Sequence, residues 1–143
     1  LQNAATRGQP LPALQLQTLE GQAVPLQRFG NGRPAIVNLW ATWCPHCVRE
    51  MPVLAEAQRQ YPDLDLVFLA QGEDGARVSR FLQRRGLALD NVLLDAKGEV
   101  GRHFGLRALP ATLFYGRDGG LQDIRIGALS KATLQERIER LRR

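Results

Sequence analysis

Two cysteines, Cys44 and Cys47, stand two residues apart just after the apolar run Ala35-Ile36-Val37-Asn38-Leu39-Trp40. They are the only cysteines in 143 residues. A short apolar run bounded by turn residues, here Asn31-Gly32-Arg33-Pro34, suits a strand covered on both faces. The residues from Pro45 to about Tyr61 read as a helix, with Pro52 predicting a kink near Met51. The unpaired N–H groups and the dipole at a helix N-terminus stabilise an anion. Cys44 therefore suits the role of a low-pKa thiolate nucleophile. Two intervening residues let Cys47 reach back to it, and Pro45 fits a first helical turn. His46, if protonated, would stabilise the thiolate further and make the couple more oxidising. A zinc site would have to recruit His46 and the distant His103, and a staple closing so short a loop gains little. The pair reads as a redox dithiol with no metal or organic cofactor.

The flanking pattern predicts an alternation of strands and helices. Residues 1–10 read as a flexible lead-in, followed by one domain over 11–143. Leu14 and Leu16 alternate with Gln15 and Gln17 as in a half-buried strand, and Val24 and Leu26 suit its return. Residues 64–70 form a second buried strand. Asp74 is a plausible N-cap for a helix carrying Val78, Phe81 and Leu82, ended by Gly86. Val92-Leu93-Leu94 is a short strand, and a short helix spans 99–104. After Pro110, residues 111–115 and 121–126 read as a hairpin around Arg117-Asp118-Gly119-Gly120. Ser130 caps a last helix whose stripe is Leu134, Ile138 and Leu141, with Leu129 and Leu134 as a hydrophobic staple. Strands separated by helices imply a mostly parallel core, the final hairpin adding an antiparallel edge.

Composition narrows the function classes. With 44% hydrophobic and 23% charged residues, the chain is an ordinary globule able to bury a core. No run approaches the length of a membrane span. Residue 1 is Leu, so the sequence is expected to be a processed or trimmed form. The formal charge of +5 is concentrated toward the C-terminus in Lys131, Arg137, Arg140, Arg142 and Arg143. Cations suit a helix C-terminus, and without interleaved aromatics they do not suggest nucleic-acid binding.

The segment Asn38-Leu39-Trp40-Ala41-Thr42-Trp43-Cys44-Pro45-His46-Cys47 resembles the active site of thioredoxin-like proteins. It is closest to the TlpA/ResA-like branch of extracytoplasmic thiol–disulfide proteins. The resemblance runs from about Leu11 to the C-terminus and includes the Leu109-Pro110-Ala111-Thr112 run. It implies an α/β thioredoxin fold, with a central mixed sheet, helices on both faces, an N-terminal β-hairpin and a helix–strand insertion between Asp74 and Asp95. It further implies Cys44 as attacking thiol, Cys47 as resolving thiol and a cis Leu109–Pro110 bond facing the disulfide. There a substrate strand would pair beside Trp43 and Leu109. The Gly72-Glu73 pair matches a glutamate that approaches the cysteines in ResA-like proteins. A carboxyl desolvated there could shuttle the proton of Cys47. Asn38 stands where general thioredoxins carry a buried aspartate and cannot take up a proton. Trp40 and Trp43 are expected to pack around the disulfide.

These features predict a monomeric thiol:disulfide oxidoreductase of the bacterial cell envelope, periplasmic or membrane-anchored. Its partners would be protein thiols and disulfides and a membrane redox-recycling protein. The Pro-His dipeptide resembles the strongly oxidising DsbA-like enzymes, whose long helical insertion this chain lacks. A DsbA-like oxidant and a redox-inactive binding module of the same fold are the alternatives. A peroxidase of the same superfamily usually places a lone reactive cysteine elsewhere.

Overall fold

The computed structural model describes residues 6–143. The elements, in order, are β1 (Gln15–Thr18), β2 (Ala23–Pro25), β3 (Ala35–Trp40), α1 (Pro45–Gln60), β4 (Asp65–Gln71), α2 (Gly75–Arg85), β5 (Val92–Asp95), α3 (Glu99–His103), β6 (Ala111–Tyr115), β7 (Leu121–Ile126) and α4 (Lys131–Arg142). A 3-10 turn at Leu26–Arg28 follows β2. The local signals act as their chemistry requires. Asp74 and Ser130 accept from the Arg77 and Thr133 N–H groups at the starts of α2 and α4, and Gly86 closes α2 in the left-handed region.

All seven strands join one sheet in the order β2-β1-β5-β4-β3-β6-β7. Only the β3–β4 and β4–β5 pairings are parallel; β6 already runs antiparallel to β3. The sheet is thus mixed, as the resemblance implied, rather than mostly parallel. The reason lies in the connections. Parallel neighbours need a crossover such as α1 or α2, whereas the segment joining β5 to β6 brings β6 back in the opposite sense.

Alternation along β3 divides the core. Ile36 and Trp40 pack with Met51 and Leu54 of α1, Val78 and Leu82 of α2, and Leu134 and Ile138 of α4. Val37 and Leu39 face a second cluster with Leu11, Leu26, Val100, Leu113 and Tyr115. One face therefore carries three helices, while short α3 and the N-terminal segment cover the other. Helix α1 continues through Pro52. The ring removes one N–H, but Met51, Leu54 and Ala55 on the same stretch are buried, and that packing outweighs the lost bond.

Residues 1–5 of the expected lead-in lie outside the described residues. Its later part is tied down: the Gly8 N–H donates to the Leu121 carbonyl, and the Leu121 N–H donates to that of Gln9. The start of α2 also presses on the β1–β2 connection, where a Cβ at Gly75 would collide with the Leu19 carbonyl oxygen. Gly75→Ala should lower stability by about 1–3 kcal/mol, the usual cost of overpacking, read as a lower urea midpoint. An unchanged midpoint would mean that the turn yields freely.

Candidate active site

Cys44 is the N-cap of α1, and its Sγ accepts a hydrogen bond from the Cys47 N–H at 3.3 Å. The two cysteines form a disulfide with a Cα–Cα distance of 5.3 Å. Pro45 occupies the first helical turn. Both cysteines are buried, Cys44 retaining 5% exposure and Cys47 1%. The N–H that meets Cys44 Sγ in the disulfide is one of the orphan donors of the first turn, the kind that stabilises a thiolate.

His46 is exposed, and Arg49 Nη2 lies 2.5 Å from its Nδ1. A guanidinium only donates, so Nδ1 must be the acceptor. The permanent cation of the motif is therefore Arg49, one turn further along α1. Trp40 is buried and meets the Phe81 ring at 5.8 Å. Trp43, expected to pack around the disulfide, is instead 63% exposed. It precedes α1 on a connection that turns outward, while the inward β3 position goes to Trp40.

The Leu109–Pro110 bond is cis. Ala111 pairs with Leu39, so Pro110 falls beside the end of β3, where the chain turns into the cysteine loop. Pro110 is buried and Leu109 half-buried, and the Pro110 carbonyl accepts from the Gly127 N–H at 2.8 Å.

Glu73 is buried, and its contacts run to the loop before Cys44. It accepts from the Thr42 N–H at 2.9 Å and from the Thr42 hydroxyl, and Arg77 Nε lies 3.1 Å from its Oε2. Arg77 Nε also donates to Thr42 Oγ1 at 3.3 Å. Both carboxylate oxygens are thus engaged with Thr42 and Arg77.

The buried carboxyl that sequence reasoning missed is Glu50, one turn along α1 from Cys47. It is 3% exposed. Asn38 Nδ2 donates to its Oε1 at 3.3 Å, and the Leu129 N–H donates to its Oε2 at 2.6 Å. Asn38 Nδ2 also lies 3.3 Å from Thr112 Oγ1. The signal was the helical spacing: Cys47, Glu50, Met51 and Leu54 form the buried stripe of α1, with a carboxylate in an apolar slot. Burial raises the Glu50 pKa above its ordinary 4.5, against the Leu129 N–H, Asn38 and the charge of Arg125, which all lower it.

A raised carboxyl pKa means that the folded state binds the proton more tightly than the unfolded chain. Its contribution therefore favours folding at low pH and is lost as pH rises from about 4.5 through the folded value. Glu50→Gln should remove this pH dependence and gain on the wild type across that window, measured as urea midpoints against pH. Parallel curves for the two proteins would refute it.

A thioredoxin-like protein YneN of Bacillus subtilis is 29% identical over 136 residues, 92% of this chain and 78% of the relative. The thiol-disulfide oxidoreductase ResA of Geobacillus thermodenitrificans is 29% identical over 141 residues, 97% of this chain and 80% of the relative. Among solved structures, a secreted Mycobacterium tuberculosis disulfide oxidoreductase homologous to E. coli DsbE superposes with a TM-score of 0.78 at 26% identity, over 90% of this chain and 96% of the other. The fold is that of thioredoxin, and the chain is a thiol-disulfide oxidoreductase of the ResA/DsbE type. The family model described as AhpC/TSA family matches residues 7–124, and the chain belongs to that family.

Proposed function

We propose that this protein exchanges disulfides with protein substrates outside the cytoplasm, with Cys44 attacking and Cys47 resolving. The observation that carries the assignment is the position of Cys44 at the N-cap of α1, its sulfur meeting the Cys47 N–H, in a residue slightly more exposed than Cys47. In the reducing direction, the Cys44 thiolate attacks a substrate disulfide, whose S–S bond breaks as a mixed disulfide forms and the first substrate sulfur leaves as a thiolate that takes up a proton. Cys47 then gives up its proton and attacks Cys44 Sγ, releasing the second substrate sulfur as a thiolate that takes up a proton. Two electrons pass to the substrate, and the Cys44–Cys47 bond closes. The oxidising direction is the reverse.

Glu50 is placed to receive the Cys47 proton, because it lies three residues further on the same face of α1 and its pKa is raised. Glu73 takes a different part. Its contacts with Thr42 position the Thr42-Trp43 loop, and so Cys44, while Arg77 balances its charge. Pro110, Leu109 and the exposed Trp43 form the ledge on which an extended substrate segment lies. The protein works as a monomer and is recycled by a membrane redox protein. A location outside the cytoplasm is supported by the secreted relative. Among the described residues no helix is long and apolar enough to cross a membrane.

An oxidising role is favoured by one observation, the Arg49 cation on His46 inside the motif. Equilibration with glutathione decides the direction: about −120 mV marks a DsbA-like oxidant and about −270 mV a thioredoxin-like reductant. His46→Pro should shift the potential by roughly 30–90 mV toward the reducing side, equivalent to one to three tenfold steps in the equilibrium constant. An unchanged potential would remove His46 from the redox chemistry.

Cys47→Ala should accumulate mixed disulfides with substrate proteins, seen as gel bands that reductant abolishes, and Cys44→Ala should accumulate none. Trapping through Cys47 in the Cys44→Ala protein would reverse the two roles. Glu50→Gln should leave mixed-disulfide formation intact and slow its resolution by about 10²-fold or more, the usual scale of lost proton transfer. Equal resolution rates would make Glu50 a purely structural group.

A further inference from the structure

The strand order β4-β3-β6-β7 brings four connections to one end of the sheet: those leaving β3, β4 and β7, and the one entering β6. They frame the disulfide, and on the connection leaving β3 and the one entering β6 the exposed charges, Arg49 and Arg107, are positive. Arg49 stands on His46 within the motif. Arg77 stands over Thr42, next to Trp43. Arg107 lies two residues before Leu109. All three are exposed. Of the carboxylates on the same stretches, Glu50 and Glu73 are buried. Glu50 faces Asn38 and Leu129, and Glu73 faces Thr42 and Arg77. The exposed one, Asp74, is occupied in capping α2 through the Arg77 N–H at 2.8 Å. Apolar surface lies within this cationic rim: Trp43 is 63% and Ile126 41% exposed, and Leu109 is half-buried.

We infer that the preferred substrates present their reacting cysteine in an acidic, extended segment, whose carboxylates meet Arg49 and Arg107 while a neighbouring apolar side chain rests against Trp43. The inference rests on the thiol-exchange reading and names the substrate class for that site. The physical basis is complementarity of charge. Opposite potentials across an encounter surface raise association rates and fix orientation, and salt screens them. Arg107 is a specificity residue in this account. It acts on the approach of the substrate and has no part in the sulfur chemistry.

The test uses the whole reduced chain and three peptides, identical except that the residues flanking one cysteine are Asp, Asn or Lys. Each cysteine is linked as a disulfide to neutral 2-thiopyridine. Attack by Cys44 on the peptide sulfur expels pyridine-2-thiolate, which takes up a proton and is followed by its absorbance. Cys47 then releases the peptide thiol, and the protein dithiol becomes a disulfide.

At low ionic strength the Asp peptide should react about tenfold faster than the Lys peptide, with the Asn peptide between, at the lower end of electrostatic steering. In about 1 M salt, where the screening length is about 3 Å, the three rates should converge. Arg107→Glu should cut the Asp/Lys ratio severalfold and leave the Asn peptide rate within about twofold. Arg117→Glu makes the same change in net charge on the β6–β7 turn, at the other end of the sheet, and should leave the ratio nearly unchanged. Equal rates for the three peptides, a preference for Lys, or equal effects of the two reversals would overturn the acidic-substrate inference while leaving thiol exchange standing. Absence of exchange with all three would overturn the thiol-exchange reading itself, and this inference with it.

Discussion

Glu50 accepts a hydrogen bond from the Leu129 N–H and another from Asn38, and so links α1 to the central strand β3 and to the connection that leads into α4. Asn38 in turn reaches Thr112 on β6. A carboxylate taken from water in this way is costly unless partners surround it. Meeting that need fixes four pieces of chain relative to one another, one helical turn along α1 from Cys47. An apolar residue at position 50 would fill the space but would leave the Leu129 N–H without this acceptor. The same burial that makes the group expensive is what raises its pKa above the ordinary carboxylate value.

The loop carrying Cys44 is fixed from two sides. From below, the first turn of α1 presents the Cys47 N–H to the sulfur. From the side, Glu73 grips Thr42 by backbone and hydroxyl, and Arg77 compensates the charge. The two carboxylates on these segments thus sit in different surroundings. Glu73 meets a cation and two donors, whereas desolvation is the largest influence on Glu50.

Much of this was legible in the chain. The caps at Asp74 and Ser130, the stop at Gly86 and the run from Ala35 to Trp40 are short-range signals, and short-range chemistry decides those boundaries. What escaped depends on residues distant in sequence. The partner of Glu50 at Leu129 lies 79 residues away, and no local pattern announces it, although the stripe of α1 contained the anomalous carboxylate. The outward turn of Trp43 was hidden for a similar reason. Two tryptophans three residues apart look alike in the sequence, and only the β3 register separates Trp40, which faces α2, from Trp43. The antiparallel course of β6 depends on the path of the segment after β5, where helix–strand alternation is a weak guide.

The two outer strands have unpaired backbone to manage, and each does so differently. On one margin β2 is only three residues long and ends in Pro25, which has no N–H to offer. On the other, the backbone of Gly8 and Gln9 is already hydrogen-bonded to Leu121 at the start of β7, and Asp123 and Arg125 place charge along the strand. Neither margin offers a long, flat, apolar template for a neighbouring molecule to extend. Backbone hydrogen bonds therefore have little free edge on which a second molecule could be added to this sheet. The cis Leu109–Pro110 bond lies away from both margins, next to the interior pairing of β6 with β3.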